Sequence, residues 1–195
     1  MTRRTLLAAA LALASTTAFA EPMTYTMDEG HTQANVTWNH FGFSNPTAGF
    51  DDIQGTITYD AADVSKSSVQ VTIDIDSVNS QVDKLDDHLK GTDFFDAKTY
   101  PQATFKSTAI EKGAKEGTFK VTGDLTLHGV TRPVVLDATL NGAGEHPMSK
   151  VQTIGFDAHT TIKRSDFGMD KYVPSVSDEI RIAITTEAAA KKDAR

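Results

Sequence analysis

The chain has 195 residues, a formal charge of −7 and no cysteine. Its acidic balance argues against nucleic acid as a partner, because duplexes are held by Lys and Arg that release counterions from phosphates. The missing cysteine excludes thiol chemistry and a disulfide framework, so a single hydrophobic core has to suffice.

The chain opens on Arg3 and Arg4, an unbroken Leu and Ala run from Leu6 to Ala14, and the small-x-small site Ala18-Phe19-Ala20. Positive start, apolar run and cleavage site together predict a secretory signal peptide over residues 1–20. The run is far shorter than the ~20 residues of a membrane span. An ordinary Sec signal is the favoured reading, and the paired arginines also admit the twin-arginine route. Cleavage after Ala20 removes two of the 19 basic residues and leaves 17 against 26 acidic ones, a net charge of −9. Such a protein is repelled by an anionic membrane surface, so any lipid handling has to rest on apolar contact at a mouth.

From Glu21 onward, apolar and polar residues alternate between Gly, Pro, Asn and Asp punctuation, the period-two signal of β-strands. Ala34, Val36, Trp38 and His40 form the first apolar face, and Val69, Val71, Ile73 and Ile75 a later one. Weaker strands are expected near Gln54 to Tyr59 and Ala103 to Ile110. Phe119, Val121, Gly123, Leu125 and Leu127 then share a face, followed by Val134 to Leu140, Ile154 to Ile162 and Ile180 to Ile184. Roughly eight strands result, each with one dry side, which can close into a barrel or stack as a sandwich. The length of the strands and the small inward residues Ala34, Gly123, Ala138 and Ala158 favour an all-β, eight-stranded antiparallel barrel with room for one ligand.

One short helix is predicted over Gln81 to Lys90, with Val82, Leu85 and Leu89 on one side and Gly91 ending it. The adjacent pair Phe94-Phe95 follows, and helix and pair together are expected to plug one barrel end. Gly142-Ala143-Gly144 reads as a hairpin turn, and residues 188–195 as a tail that frays. Without repeats or linkers, residues 21–187 read as one domain.

No nucleophile stands beside a base in any known motif, and the six histidines have no His-x-His or His-x-x-x-His spacing, so neither a catalytic group nor a metal is expected. His40 reads as a hydrogen-bonded residue at the barrel rim, with contact to a ligand head group as the alternative. His88 reads as a cation or hydrogen-bonding group at the helix end. Asp166-Phe167-Gly168 looks like a kinase metal motif but has none of its partner elements, and reads as a turn with a core Phe. Asp51-Asp52 and the pair Asp74 and Asp76 read as solvated carboxylates.

Several blocks in order along the chain resemble the YceI-like family: His31-Thr32-x-Ala34-x-Val36-x-Trp38-x-His40, Asp87-His88-Leu89-Lys90 through Phe94-Phe95, Tyr100-Pro101-Gln102-Ala103-Thr104-Phe105, Gly123 through Val134, and Lys163-Arg164-Ser165-Asp166-Phe167-Gly168. The resemblance implies a lipocalin-like barrel with a short helix, secreted to the periplasm, that holds a polyisoprenoid such as an isoprenoid quinone in its tunnel. It carries the tunnel lining onto Ala34, Val36, Trp38, His40, Phe94, Phe95, Leu125, Leu127 and Phe167. The inward faces and the helix add Leu89, Phe105, Phe156, Ile162 and Ile182. Relatives usually have larger side chains at Ala34 and Val36, which implies a wider tunnel here, and a basic residue where this chain has Leu85.

The expected function is therefore a binding protein that sequesters or carries an isoprenoid lipid, its only expected ligand. The alternatives are an enzyme acting on a lipid or quinone, with His40 as acid or base, and a soluble partner of a membrane redox protein. Transient contact with a membrane and pairing as a homodimer are further associations that the resemblance allows.

Overall fold

The computed structural model describes residues 21–191, so the expected signal peptide and the last four residues lie outside the described part. Ten strands and one helix are present: β1 (Met23–Thr37), β2 (Thr47–Phe50), β3 (Ile53–Tyr59), β4 (Ser68–Asp74), β5 (Val78–Asn79), α1 (Asp83–Lys90), β6 (Gln102–Lys112), β7 (Thr118–Leu127), β8 (Val130–Glu145), β9 (Gln152–Lys163) and β10 (Glu179–Ala190). Eight of them close in the antiparallel order β1-β3-β4-β6-β7-β8-β9-β10, with β10 returning to β1. The barrel reading is correct, and the closure leaves no open edge among these eight strands.

The two additional strands come from a single kink. The hairpin β3–β4 breaks on both arms at one level, at Asp51-Asp52 and at the 3-10 turn Ile75–Ser77, where Asp74 N–H donates to the Asp52 carbonyl at 3.0 Å and Asp51 N–H to that of Ser77 at 3.1 Å. Beyond the break the arms continue as β2, which pairs with the second half of β1, and β5, which pairs with β2. Ile75 and Asp76 therefore leave the strand face expected for them: Ile75 is buried in the turn, and the Asp74 carboxylate accepts from Asp76 N–H at 2.8 Å.

The ends of the barrel differ. At one end the connections are of eight residues or fewer, and at the other they carry α1, the Phe94-Phe95 segment and the loop from Arg164 to Asp178; this second end is called the mouth. Only β7 and β8 are joined tightly there, by the two-residue turn His128-Gly129 with both φ positive, the geometry that matches strand twist. The ring of Tyr100 lies where a side chain on Gly129 would stand, and His128 Nδ1 is 2.9 Å from the Phe167 carbonyl.

Three expectations need correction. Gly142 to Gly144 is not a turn; it belongs to β8, which bulges between Leu140 and Gly142 and pairs with β9 as far as Glu145, and the chain reverses at His146 to Lys150. Ala188 to Ala190 do not fray, because β10 pairs through Ala190 with β1 and Ala188 is fully buried among Tyr25, Ile57 and Ile154. Gly123 does not widen the lumen, because the Phe105 ring fills its place: a Cβ on Gly123 would collide with Phe105 Cζ and lie 2.6 Å from the Lys106 carbonyl oxygen. The carbonyl cannot step aside, so Gly123→Val is expected to cost about 3 kcal/mol, read as a lower midpoint in urea unfolding with an unchanged slope.

Candidate functional site

The interior is not packed solid. A chamber of about 320 Å³ lies under the mouth, and a second of about 170 Å³ lies deeper. Both are walled by the inward residues of the barrel strands, and Ala34, Ile73, Leu125 and Ile182, from β1, β4, β7 and β10, line both chambers. These four form the waist at which the two chambers adjoin. Along β7 the walls run from Phe119 to Leu127. Eight residue-to-residue steps at ~3.4 Å each and a tilt of ~40° make this roughly 20 Å.

At the deep end Tyr59, Phe119 and Phe156 meet edge to face with centroids 5.9 to 6.3 Å apart, a favoured aromatic geometry. Thr32 and Thr186 are also buried on this wall, but each hydroxyl is bound to the other at 2.7 Å. A polar pair satisfied in this way makes little demand on a ligand.

The mouth chamber has its polar groups on one side only. His40, His88, Arg164 and Tyr172 border it, and the rest of its wall is apolar. The packing explains how the helix comes to lie there: Leu85 and Leu89 turn inward from α1 while Phe95 packs edge-on against Phe50 at 5.8 Å. His88 stands edge-on to Phe94 at 4.9 Å and faces Tyr172 at 6.5 Å. Helix and Phe pair thus cover part of the mouth, in the place expected for them.

Of the residues expected to line a tunnel, Val36, Trp38, His40, Leu89, Phe94, Phe95, Leu127 and Ile162 wall the mouth chamber, Phe105 and Phe156 the deep one, and Ala34, Leu125 and Ile182 both. Phe167 is the exception. It is 1% exposed, borders neither chamber and packs in the core beneath the mouth loop, so the reading of Asp166-Phe167-Gly168 as a turn with a core Phe is the right one. His40 also differs in detail: β1 ends at Thr37, and His40 sits in the following turn, exposed at the rim, with its ring edge-on to Phe41 at 4.7 Å.

Arg164 is the residue that pattern reading missed. Although charged, it is only 5% exposed, and its guanidinium donates to the carbonyls of Ser177 (2.9 Å), Lys171 (2.8 Å), Val176 (3.0 Å) and Met169. The mouth loop is folded around this one planar fork, whose donors suit several acceptors at once. Burial pulls its pKa below the ordinary value while Asp178 and Asp170 oppose the shift, and a guanidinium stays charged throughout.

Asp178 ties the other end of the loop. It accepts from Ser165 N–H at 2.9 Å and from the Ser165 hydroxyl at 2.8 Å. Burial works against its ionised form, but these bonds and the charges of Arg164 and Lys163 outweigh it and hold its pKa below the ordinary value. A carboxylate with a depressed folded pKa contributes stability that is complete above its unfolded pKa of ~3.9 and is lost as pH falls through the folded one. Amide exchange in residues 164–178, corrected for intrinsic rates, is therefore expected to lose protection below about pH 4, and Asp178→Asn to show no such step.

Among the described residues no group of three or more His, Cys, Asp or Glu side chains is placed to hold a metal ion, and no helix is long and apolar enough to cross a membrane.

The chain is similar to known proteins along most of its length. Protein YceI of Escherichia coli O6:H1 is 38% identical over 162 residues, covering 83% of each chain. BcnA of Burkholderia cenocepacia superposes with a TM-score of 0.75 at 31% identity, covering 83% of this chain and 99% of that one. A polyisoprenoid binding domain from Saccharophagus degradans shares the fold, with a TM-score of 0.67 at 19% identity over 87% of this chain and 99% of its own. The family model for the YceI-like domain matches residues 25–188, nearly the whole barrel, and with these relatives it makes the chain a member of the YceI-like family.

Proposed function

We propose that this protein binds an isoprenoid lipid, an isoprenoid quinone or another polyprenyl compound, with the tail in the tunnel and the polar end at the mouth. The observation that carries this reading is the distribution of polarity: two adjoining chambers with mainly apolar walls, and the basic side chains His40, His88 and Arg164 bordering only the one under the mouth. A long, thin, apolar molecule with one polar end matches that distribution, and a compact polar substrate does not. The fold shared with a polyisoprenoid binding domain supports the same ligand class. The residues at positions 1–20 support export, and the periplasm is the compartment this reading assigns.

Binding rather than catalysis is part of the proposal, because the energetics suit a carrier or store. Each buried CH₂ gains roughly 0.8 kcal/mol relative to water, but the donor is a bilayer as apolar as the tunnel. The net preference for protein over membrane is then small, and cargo can be released. Selectivity comes from length and width, since a tail that leaves voids forfeits dispersion contacts.

Trp38 is the only tryptophan in the chain and stands on the wall of the mouth chamber, which makes it a built-in reporter. Titration of delipidated protein with an isoprenoid quinone is expected to quench its emission saturably, at about one equivalent per chain, and a head-group analogue without a tail to quench far less. A linear, non-saturating response to both would refute the proposal.

A further inference from the structure

The chain is acidic and 23% of its residues are charged, yet two segments at the mouth carry no charged residue at all. They are residues 39–46, Asn-His-Phe-Gly-Phe-Ser-Asn-Pro, and residues 172–177, Tyr-Val-Pro-Ser-Val-Ser. The fold brings them side by side: Phe41 N–H donates to the Ser175 carbonyl at 2.8 Å, Ser177 N–H to that of Asn39 at 2.9 Å, and His40 bridges to Val176. Four of their large apolar side chains are exposed. Phe43 is 92% exposed, Phe41 51%, Tyr172 47% and Val173 37%.

Large aromatics in water at adjacent loop tips, in a surface otherwise rich in charge, mark a contact site. The geometry assigns the partner. Phe41 and Tyr172 also line the mouth chamber, so the exposed patch is continuous with the apolar tunnel wall. From this we infer that the two loops form a membrane-docking tip that inserts its aromatic side chains among the lipids of a bilayer and opens the tunnel directly onto the acyl layer. The missing charges fit this partner, because a charged tip would have to be desolvated on insertion, and Tyr and Phe suit the interfacial region. For its purpose, the exchange of cargo, the docking rests on the proposed function; its geometry rests on the loops alone.

Phe43 borders neither chamber, so it can be changed without touching the tunnel. Met148, 87% exposed in the turn between β8 and β9 at the opposite end, is the matched control. In flotation with phosphatidylcholine vesicles at high salt, wild type and Met148→Glu are expected to partition alike, and Phe43→Glu to lose roughly tenfold or more, the scale of one buried aromatic side chain. Phe43→Glu should keep wild-type Trp38 quenching by an isoprenoid quinone. Equal partitioning of Phe43→Glu and wild type would overturn the docking tip. So would a wild type that ignores vesicles but forms a dimer that Phe43→Glu dissociates, since a second copy would then cover the patch. Vesicle binding lost in Phe43→Glu together with a quinone titration that fails in every variant would uphold the docking and remove the cargo.

Discussion

Arg164→Leu is expected to lower stability by about 3 kcal/mol, near 10 °C in melting temperature for a protein of this size. The change strands the carbonyls of Ser177, Met169, Lys171 and Val176, and the loop they belong to carries Tyr172 over the mouth chamber. Part of the cost is recovered when water reaches the released carbonyls, which is why the figure is far below the sum for four buried acceptors. Arg164→Lys is expected to recover little, because an ammonium cannot spread its donors over a planar fork. Both variants are expected to release bound lipid faster, as the loop that roofs the chamber opens. Thermal unfolding and the rate of quinone dissociation followed by Trp38 emission are the two measurements, and a fully stable Arg164→Leu variant would show that the loop holds itself.

Ala34→Phe addresses the waist. Ala34 is 6% exposed and borders both chambers, opposite Leu125 and between Ile73 and Ile182. A phenyl ring there is expected to close the passage at a modest folding cost of about 1 kcal/mol, because it enters open space rather than a packed core. A long prenyl tail then loses the deep chamber, and four methylene-sized groups at ~0.8 kcal/mol each correspond to at least ~100-fold weaker binding. A quinone with a single isoprene unit, which needs only the mouth chamber, should change by less than about threefold. Titration of a tail-length series separates the outcomes: a uniform loss at every length would mean that the waist does not set length, and no loss at any length would mean that the tail never passes it.

How much of this could be read from the chain differs residue by residue. Strict alternation made the inward faces of β7 and β9 legible, since Phe119 to Leu127 and Ile154 to Ile162 obey the period of two throughout. β1 was half visible: its alternation from Ala34 stands out, but Asp28 to His31 interrupt the pattern with a bulge in which β1 advances five residues against two on β10, and this hid Met23 to Met27. The kink that creates β2 and β5 was invisible, because it depends on backbone hydrogen bonds from Asp51 to Ser77 and from Asp74 to Asp52 that no local signal announces. Family blocks located the site but not every role. They placed Phe167 on the tunnel wall, whereas the 3-10 turn Arg164–Phe167 directs it into the core.

Arg164 escaped notice for the opposite reason. A charged residue at the end of an exposed-looking strand reads as solvated, since arginine is seldom buried without a partner. Its partners here are backbone carbonyls of a loop with no periodicity, five to thirteen residues further on. The signal that could have found it is the family run Lys163-Arg164-Ser165-Asp166-Phe167-Gly168, whose length exceeds what a simple turn requires.

The most direct measurement is native mass spectrometry, with organic extraction, of the protein purified from its own host. One isoprenoid lipid per barrel, displaced in the Leu127→Asp or Phe156→Asp variant while the protein remains folded, is the result expected. A barrel that comes out empty from the host, or a folded charged variant with undiminished lipid, would contradict a ligand held in the tunnel.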